Sequence, residues 1–83
     1  MAEKEIGKVS AYFGHASVAA IKLSGNLKIG DRIHIKGHTS DFQENVQSMQ
    51  VHKEEVQDAK KGDHVGIKVS EKVRPNDKVF LVE

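Results

Sequence analysis

The 83-residue chain contains no cysteine and no tryptophan, a single proline (Pro75), and only four aromatic residues, Tyr12, Phe13, Phe42 and Phe80. Without cysteine there can be no disulfide, no zinc–thiolate centre and no thiol nucleophile. A reducing compartment suits such a chain, and a cytoplasmic location is expected. No apolar run approaches the length of a membrane span, and the opening "MAEKEIGKV" lacks the apolar stretch of a secretion signal; a soluble protein with no membrane contact is expected. There is no Ser- or Gly-rich run and no low-complexity segment, so residues 1–83 are expected to form one domain with one modest core. With so few aromatics, that core must be built mostly from Val, Ile, Leu and Ala.

Glycine-rich phosphate cradles are also missing. Neither G-x-x-x-x-G-K-[ST] nor G-x-G-x-x-G occurs, and "YFGHAS" holds a single glycine. Backbone N–H groups are therefore not gathered in the way that nucleotide phosphates require, and neither a bound nucleotide nor any other cofactor is expected. Net charge is small, +1, but unevenly spread. Six Lys and Arg face three acids in residues 1–40, and three Lys face six acids in residues 41–63.

What is present is period-two alternation. "RIHIKG" sets Ile33 and Ile35 on one face and Arg32, His34 and Lys36 on the other. "VAAIKL" groups Ala19, Ile21 and Leu23 opposite Lys22, "HVGIKV" groups Val65, Ile67 and Val69, and "KVFLV" groups Val79 and Leu81. This is the pattern of half-buried strands. It predicts six strands, near 5–13, 16–24, 31–37, 42–53, 63–70 and 77–82. Within the fourth, Phe42 and Val46 share one parity and Met49 and Val51 the other, which predicts a bulge or a break at Gln47–Ser48. "EEVQDAKKG" is the one candidate helical turn. Val9 and the inward residues of these strands form the expected core, with Phe13 among the buried aromatics.

A short phrase recurs three times: "KIGD" at residues 28–31, "KKGD" at 60–63 and "RPND" at 74–77. Gly or Asn suits a positive-φ turn position, and Asp can accept backbone N–H bonds beside it. The repetition is a rule for making turns and carries no chemistry of its own. Together with the strand spacing it predicts an all-β fold, a small closed six-stranded antiparallel barrel.

No catalytic residues emerge. Ser17 near His15 and Ser48 near His52 are the closest approaches to a Ser–His pair, and neither lies in a nucleophile elbow. His34 and His38, four apart on a strand and turn, stand roughly 13 Å apart at strand rise, too far to share a metal. No enzyme activity, metal site or cofactor site is expected. The remaining feature is basic: Lys22, Lys28, Arg32, His34 and Lys36 fall on outward strand positions or a turn, a candidate contact for RNA or a partner protein.

Taken together, "IGKVSAYFGHASVAAIKLSGNLKIGDRIHIKG", "VQSMQVHKEEVQDAKKGDHVGIKV" and "VRPNDKVFLV" resemble the β-barrel second domain of translational GTPases such as elongation factor Tu and initiation factor two. That resemblance runs from Ile6 to Val82, with "GDHVGIKV" its most telling part. It implies the translation-protein type of barrel, and a stand-alone elongation-factor-like module contacting tRNA, ribosomal RNA or the ribosome. The GTPase domain is absent, so GTP hydrolysis is not implied. His15, Ala16 and Ser17 replace the Arg-Gly-Thr-like turn of those relatives, so their aminoacyl-end contacts do not carry over. A second resemblance is to the C-terminal extension of U32 peptidase-like proteins, enzymes linked to RNA modification. This one implies an interaction barrel serving such an enzyme, or a GTPase, as an accessory subunit.

Overall fold

The computed structural model describes residues 3–38 and 41–82. Its elements are all β-strands: β1 (Glu3–Phe13), β2 (Val18–Leu23), β3 (Leu27–Lys28), β4 (Arg32–Lys36), β5 (Asp41–Asn45), β6 (Met49–Val51), β7 (Glu54–Glu55), β8 (Asp58–Ala59), β9 (His64–Lys68) and β10 (Lys78–Val82). Eight of them form one antiparallel sheet in the order β5-β4-β10-β1-β2-β9-β6-β7, and β3 pairs with β8 in a separate two-stranded ladder. "EEVQDAKKG" is not helical: it supplies β7, β8 and a turn.

The three recurring phrases make one and the same turn. Asp31, Asp63 and Asp77 donate their N–H groups to the carbonyls of Lys28, Lys60 and Arg74 at 3.1, 3.0 and 3.2 Å. In return each Asp carboxylate accepts the N–H of that same first residue, at 3.1, 3.1 and 3.0 Å. The third position has φ of +95° at Gly30, +94° at Gly62 and +76° at Asn76. An i to i+3 bond with positive φ at the third residue is the type II turn signature. A Cβ at Gly30 or Gly62 would meet nothing within 4 Å, so glycine is favoured there by the backbone alone, and Asn76 is the non-glycine residue that takes the same position in the third turn.

Apolar residues of alternate parity enter a single core. Val9, Ala19, Ile21, Leu23, Ile33, Ile35, Val65, Ile67, Val69 and Val79 are all buried, as their alternation predicts, whereas Leu81 packs against the core half-buried. Ile6, Leu27, Val46, Met49, Ala59 and Val73 complete it. Phe13 is not in the core; it is 48% exposed. The reason is a register shift in β1 between Val9 and Ala11. The bulge advances the phase by one residue, so Tyr12 packs against the core and Phe13 turns outward.

The closed six-stranded barrel needs correction. β5 and β7 are sheet edges with no ladder between them, and the fourth expected strand is broken at residues 46–48. Those three residues join β5, at one edge, to β6, one strand in from the other. They can span at most roughly 14 Å, so the sheet must curl until its two edges nearly meet. Ladder bonds do not seal that seam. A side chain crosses it: Glu44 of β5 accepts hydrogen bonds from the Ser70 N–H at 3.0 Å and the Ser70 hydroxyl at 2.7 Å, just beyond β9.

Candidate functional site: a lysine row across the outer face

Outward positions alternate with the core residues, and pairing register decides which of them become neighbours. Lys22 of β2 pairs with Lys8 of β1. Lys8 pairs with Lys78 of β10, and Lys78 with Lys36 of β4. Four lysines thus lie in one line across four adjacent strands, all exposed. At ~4.8 Å per strand the line runs roughly 14 Å from Lys22 to Lys36. Beyond Lys22 the row continues to His64 of β9, and beyond Lys36 to Asp41 of β5.

Among the described residues, none of the four ammonium groups forms an ion pair with a carboxylate. Directly opposed like charges destabilise a sheet by roughly 0.2–1 kcal/mol per pair. Lys8 and Lys78 each meet two such neighbours. Lys8→Glu is therefore expected to raise stability by about 1 kcal/mol at low salt. The gain should shrink in 0.5 M KCl as screening removes the repulsion; urea denaturation at both salts checks it, and a loss of stability at low salt would contradict the row.

The sequence-derived site residues are only partly brought together. Lys22 and Lys36 belong to the row. Arg32 is turned to β5, where its Nε donates to Gln43 Oε1 at 2.9 Å and its Nη1 to Asn45 Oδ1 at 3.4 Å. Lys28 sits on the separate β3–β8 ladder opposite Asp58, beside a depression that also contains Asp31 and Asp63. The row also contains Lys8 and Lys78, which the sequence alone does not single out. Both stand on outward positions, but only the pairing of the first long strand with the last, about seventy residues apart, puts them between Lys22 and Lys36.

His34 has a different role. Its Nδ1 lies 3.0 and 2.9 Å from the two Glu3 carboxylate oxygens, and its Nε2 lies 2.5 Å from Asp41 Oδ1. Ionised carboxylates only accept, so both contacts are satisfied at once when both ring nitrogens donate, and the arrangement favours the imidazolium. The hydrogen bond to Asp41, then that to Glu3, raises the His34 pKa above 6.5 against some desolvation. The same His34 hydrogen bond lowers the Asp41 carboxyl below its ordinary 3.8. The ring also tilts against Phe80, with centroids 6.2 Å apart. The result is a clasp from edge strand β5 over β4 to β1.

The clasp's pH window follows from the two directions. A raised His pKa contributes stability in full below about 6.5, lost as pH rises through the folded-state value. A lowered Asp pKa contributes above about 3.8, lost as pH falls through its folded-state value. The clasp is therefore complete between roughly pH 4 and 6.5. From pH 6 to 8.5 the parent's Tm should fall by on the order of a few degrees more than that of His34→Gln. Equal slopes for the two proteins would mean that the clasp contributes nothing.

Among the described residues no side-chain hydrogen bond joins Ser17 to His15 or Ser48 to His52. Ser48 and His52 flank β6, roughly 13 Å apart at strand rise, and line different depressions. Ser17 has φ +54° and accepts the Val69 N–H through its backbone carbonyl at 2.9 Å. No group of three or more His, Asp or Glu able to hold a metal ion occurs among the described residues. Among the described residues no helix is long and apolar enough to cross a membrane.

No family model matches the chain. An uncharacterized protease of Methanocaldococcus jannaschii is 45% identical over 80 residues, 95% of this chain but 20% of that protein. A collagenase of Porphyromonas gingivalis is 39% identical over 77 residues, 90% of this chain and 21% of that protein. The chain thus spans about a fifth of the length of these curated relatives. Among solved structures, the C-terminal domain of a candidate U32 peptidase from Geobacillus thermoleovorans superposes with TM-score 0.90, covering 96% of this chain and 93% of that domain at 17% identity. Its selenomethionine variant superposes with TM-score 0.87 at 18% identity.

These findings correct the elongation-factor assignment. The relatives are a protease and a collagenase, and the fold is that of a U32-type C-terminal domain; the second resemblance drawn from the sequence is the supported one. The physical reason for the misassignment lies in the motif that carried it. "KIGD" and "KKGD" encode type II turns with a capping Asp, which small antiparallel β-domains can need whatever their function.

Proposed function

We propose that this domain is a non-catalytic accessory of a U32 peptidase-type enzyme, joined to it in one chain or docking onto it. One observation carries the reading: nearly the whole chain matches a protein of protease description, yet accounts for only a fifth of it. The remaining four fifths are large enough to hold the catalytic unit. A cytoplasmic location belongs to the same proposal, since a chain without cysteine asks nothing of an oxidising compartment.

The test has two arms. The purified chain is incubated with fluorescein-labelled gelatin, and separately titrated by calorimetry into the remaining four fifths of the methanogen relative. No hydrolysis together with one-to-one binding is the expected result. Hydrolysis by the chain alone would overturn the non-catalytic role, and absence of binding would overturn the docking.

A further inference from the structure

We propose that the lysine row and the depression at its β9 end form a site for single-stranded nucleic acid, with the phosphate backbone along the lysines and a base stacked on Phe13. This goes beyond the accessory role and does not depend on which enzyme the domain serves.

The row supplies the electrostatic half. Lys22, Lys8, Lys78 and Lys36 repel one another and lie in a line; among the described residues none is ion-paired with a carboxylate, and only Lys36 faces one, Asp41, across the β4–β5 ladder. A polyanion with regularly spaced charges relieves that repulsion, whereas a single small anion can meet only part of the row. Two acids lie beside the row: Asp41 at the β5 end is already engaged by His34, and Glu5 borders a depression shared with Lys8 and Lys22, across a β1 register shift from Lys8 and without an ion pair to either lysine.

The other half is aromatic. Phe13 and His64 border a shallow depression of about 310 Å³ together with His15, His52, Lys53 and Gly66. His64 pairs directly with Lys22, so the depression opens onto the end of the row. Gly66 has no side chain to fill it, and a Cβ there would meet Val18 Cγ1 at 3.3 Å. His52 and Lys53 both hold positive φ, +54° and +66°, in the two-residue turn joining β6 to β7. That is a strained conformation for residues with side chains, and it sets them at the rim. An exposed aromatic ring beside a cationic groove gives a stacking platform tolerant of base identity. Duplex bases are already stacked and gain nothing from Phe13, so the site favours unpaired strands.

The experiment is fluorescence anisotropy with fluorescein-labelled decauridylate at 50 and 200 mM KCl, with decathymidylate and a ten-base-pair duplex as further probes. Neutralising three to four phosphates of a single strand predicts a roughly 20–50-fold loss of affinity over that fourfold rise in salt. Lys8→Gln/Lys78→Gln should bind at least tenfold more weakly at 50 mM, its salt effect falling to roughly three- to sevenfold. Phe13→Ala should weaken binding about tenfold and leave the salt dependence unchanged. Lys60→Gln/Lys61→Gln, which removes the same charge from a turn outside the row, should bind as the parent does. Thermal melts of every variant confirm folding; the two row substitutions remove repulsion and should not lower Tm.

Equal affinity for decathymidylate would support recognition through phosphate and base face alone, and preference for decauridylate would add a contact to the ribose hydroxyl. The site is overturned by any of three results: no binding at 50 mM, equal losses in the Lys60/Lys61 and Lys8/Lys78 variants, or tighter binding to the duplex than to either single strand.

Discussion

Ile67→Ala is expected to destabilise the domain by roughly 2–5 kcal/mol, measured as a fall in the urea midpoint at constant m. Ile67 is fully buried on β9, facing Ala19 on β2 and Met49 on β6. Ala19 has no side-chain length with which to follow a receding neighbour, so the void persists on that side. Met49 is flexible enough to relax partly into it, which sets the outcome within the range. A domain of this size has a total stability of roughly 4–12 kcal/mol, so the substitution removes a large share of it. Ile67→Val, lacking one methyl group, should cost only about 0.5–1.5 kcal/mol. If Ile67→Ala cost less than 1 kcal/mol, β9 would not lie between β2 and β6 in this register.

The strands that mattered most were legible because burial on one face forces alternation, and alternation survives in the residue order. Ile33, Ile35, Val65 and Ile67 could each be assigned inward from that pattern alone. Phe13 could not. Its direction depends on the bulge between Val9 and Ala11, and a bulge that moves one residue leaves no compositional mark in "KVSAYF". The short pairings β3–β8 and β6–β7 were equally invisible: two residues cannot display a period. "EEVQDAKKG" looks helical for the same reason, since good helix formers sit in it while its backbone bonds are claimed by distant partners, as when Ile29 donates to the Gln57 carbonyl at 2.9 Å.

The open edges of the sheet and the composition of the basic face were hidden for a different reason, because both depend on register between strands far apart in the chain. Arg32, His34 and Lys36 look equivalent as alternate residues of one strand. Pairing with β5 takes Arg32 into contact with Gln43 and Asn45, and His34 into contact with Asp41; Lys36 stands between Lys78 and Asp41, whose carboxylate His34 already holds. The charge that remains free for a partner is thus chosen by the neighbours of each cation. Counting basic residues along the chain cannot make that choice.

Gly37→Ala is the sharpest test of how the turns hold the sheet together, and should cost about 2–4 kcal/mol. Gly37 does not have positive φ, so alanine suits its backbone and the effect is steric alone. A Cβ there would run into the carboxylate of Asp77, overlapping Oδ1 and Cγ. Asp77 has little room to withdraw: it is 5% exposed, and its Oδ2 accepts the Arg74 N–H at 3.0 Å. The turn it closes is fastened to β1, where the Val9 N–H donates to the Asp77 carbonyl and the Asn76 N–H to the Val9 carbonyl, each at 2.8 Å. Displacing Asp77 therefore disturbs the turn that leads into β10 and, beside it, the strand carrying Lys8. Asp77→Ala alone should cost about 1.5–3 kcal/mol through loss of the charged turn acceptor. In the Asp77→Ala background the clash has no partner, and adding Gly37→Ala should cost under about 1 kcal/mol, giving a coupling of about 1–3 kcal/mol. Additive costs in that double-mutant cycle would mean that the residues do not touch, and the packing of the "RPND" turn against the end of β4 would have to be redrawn.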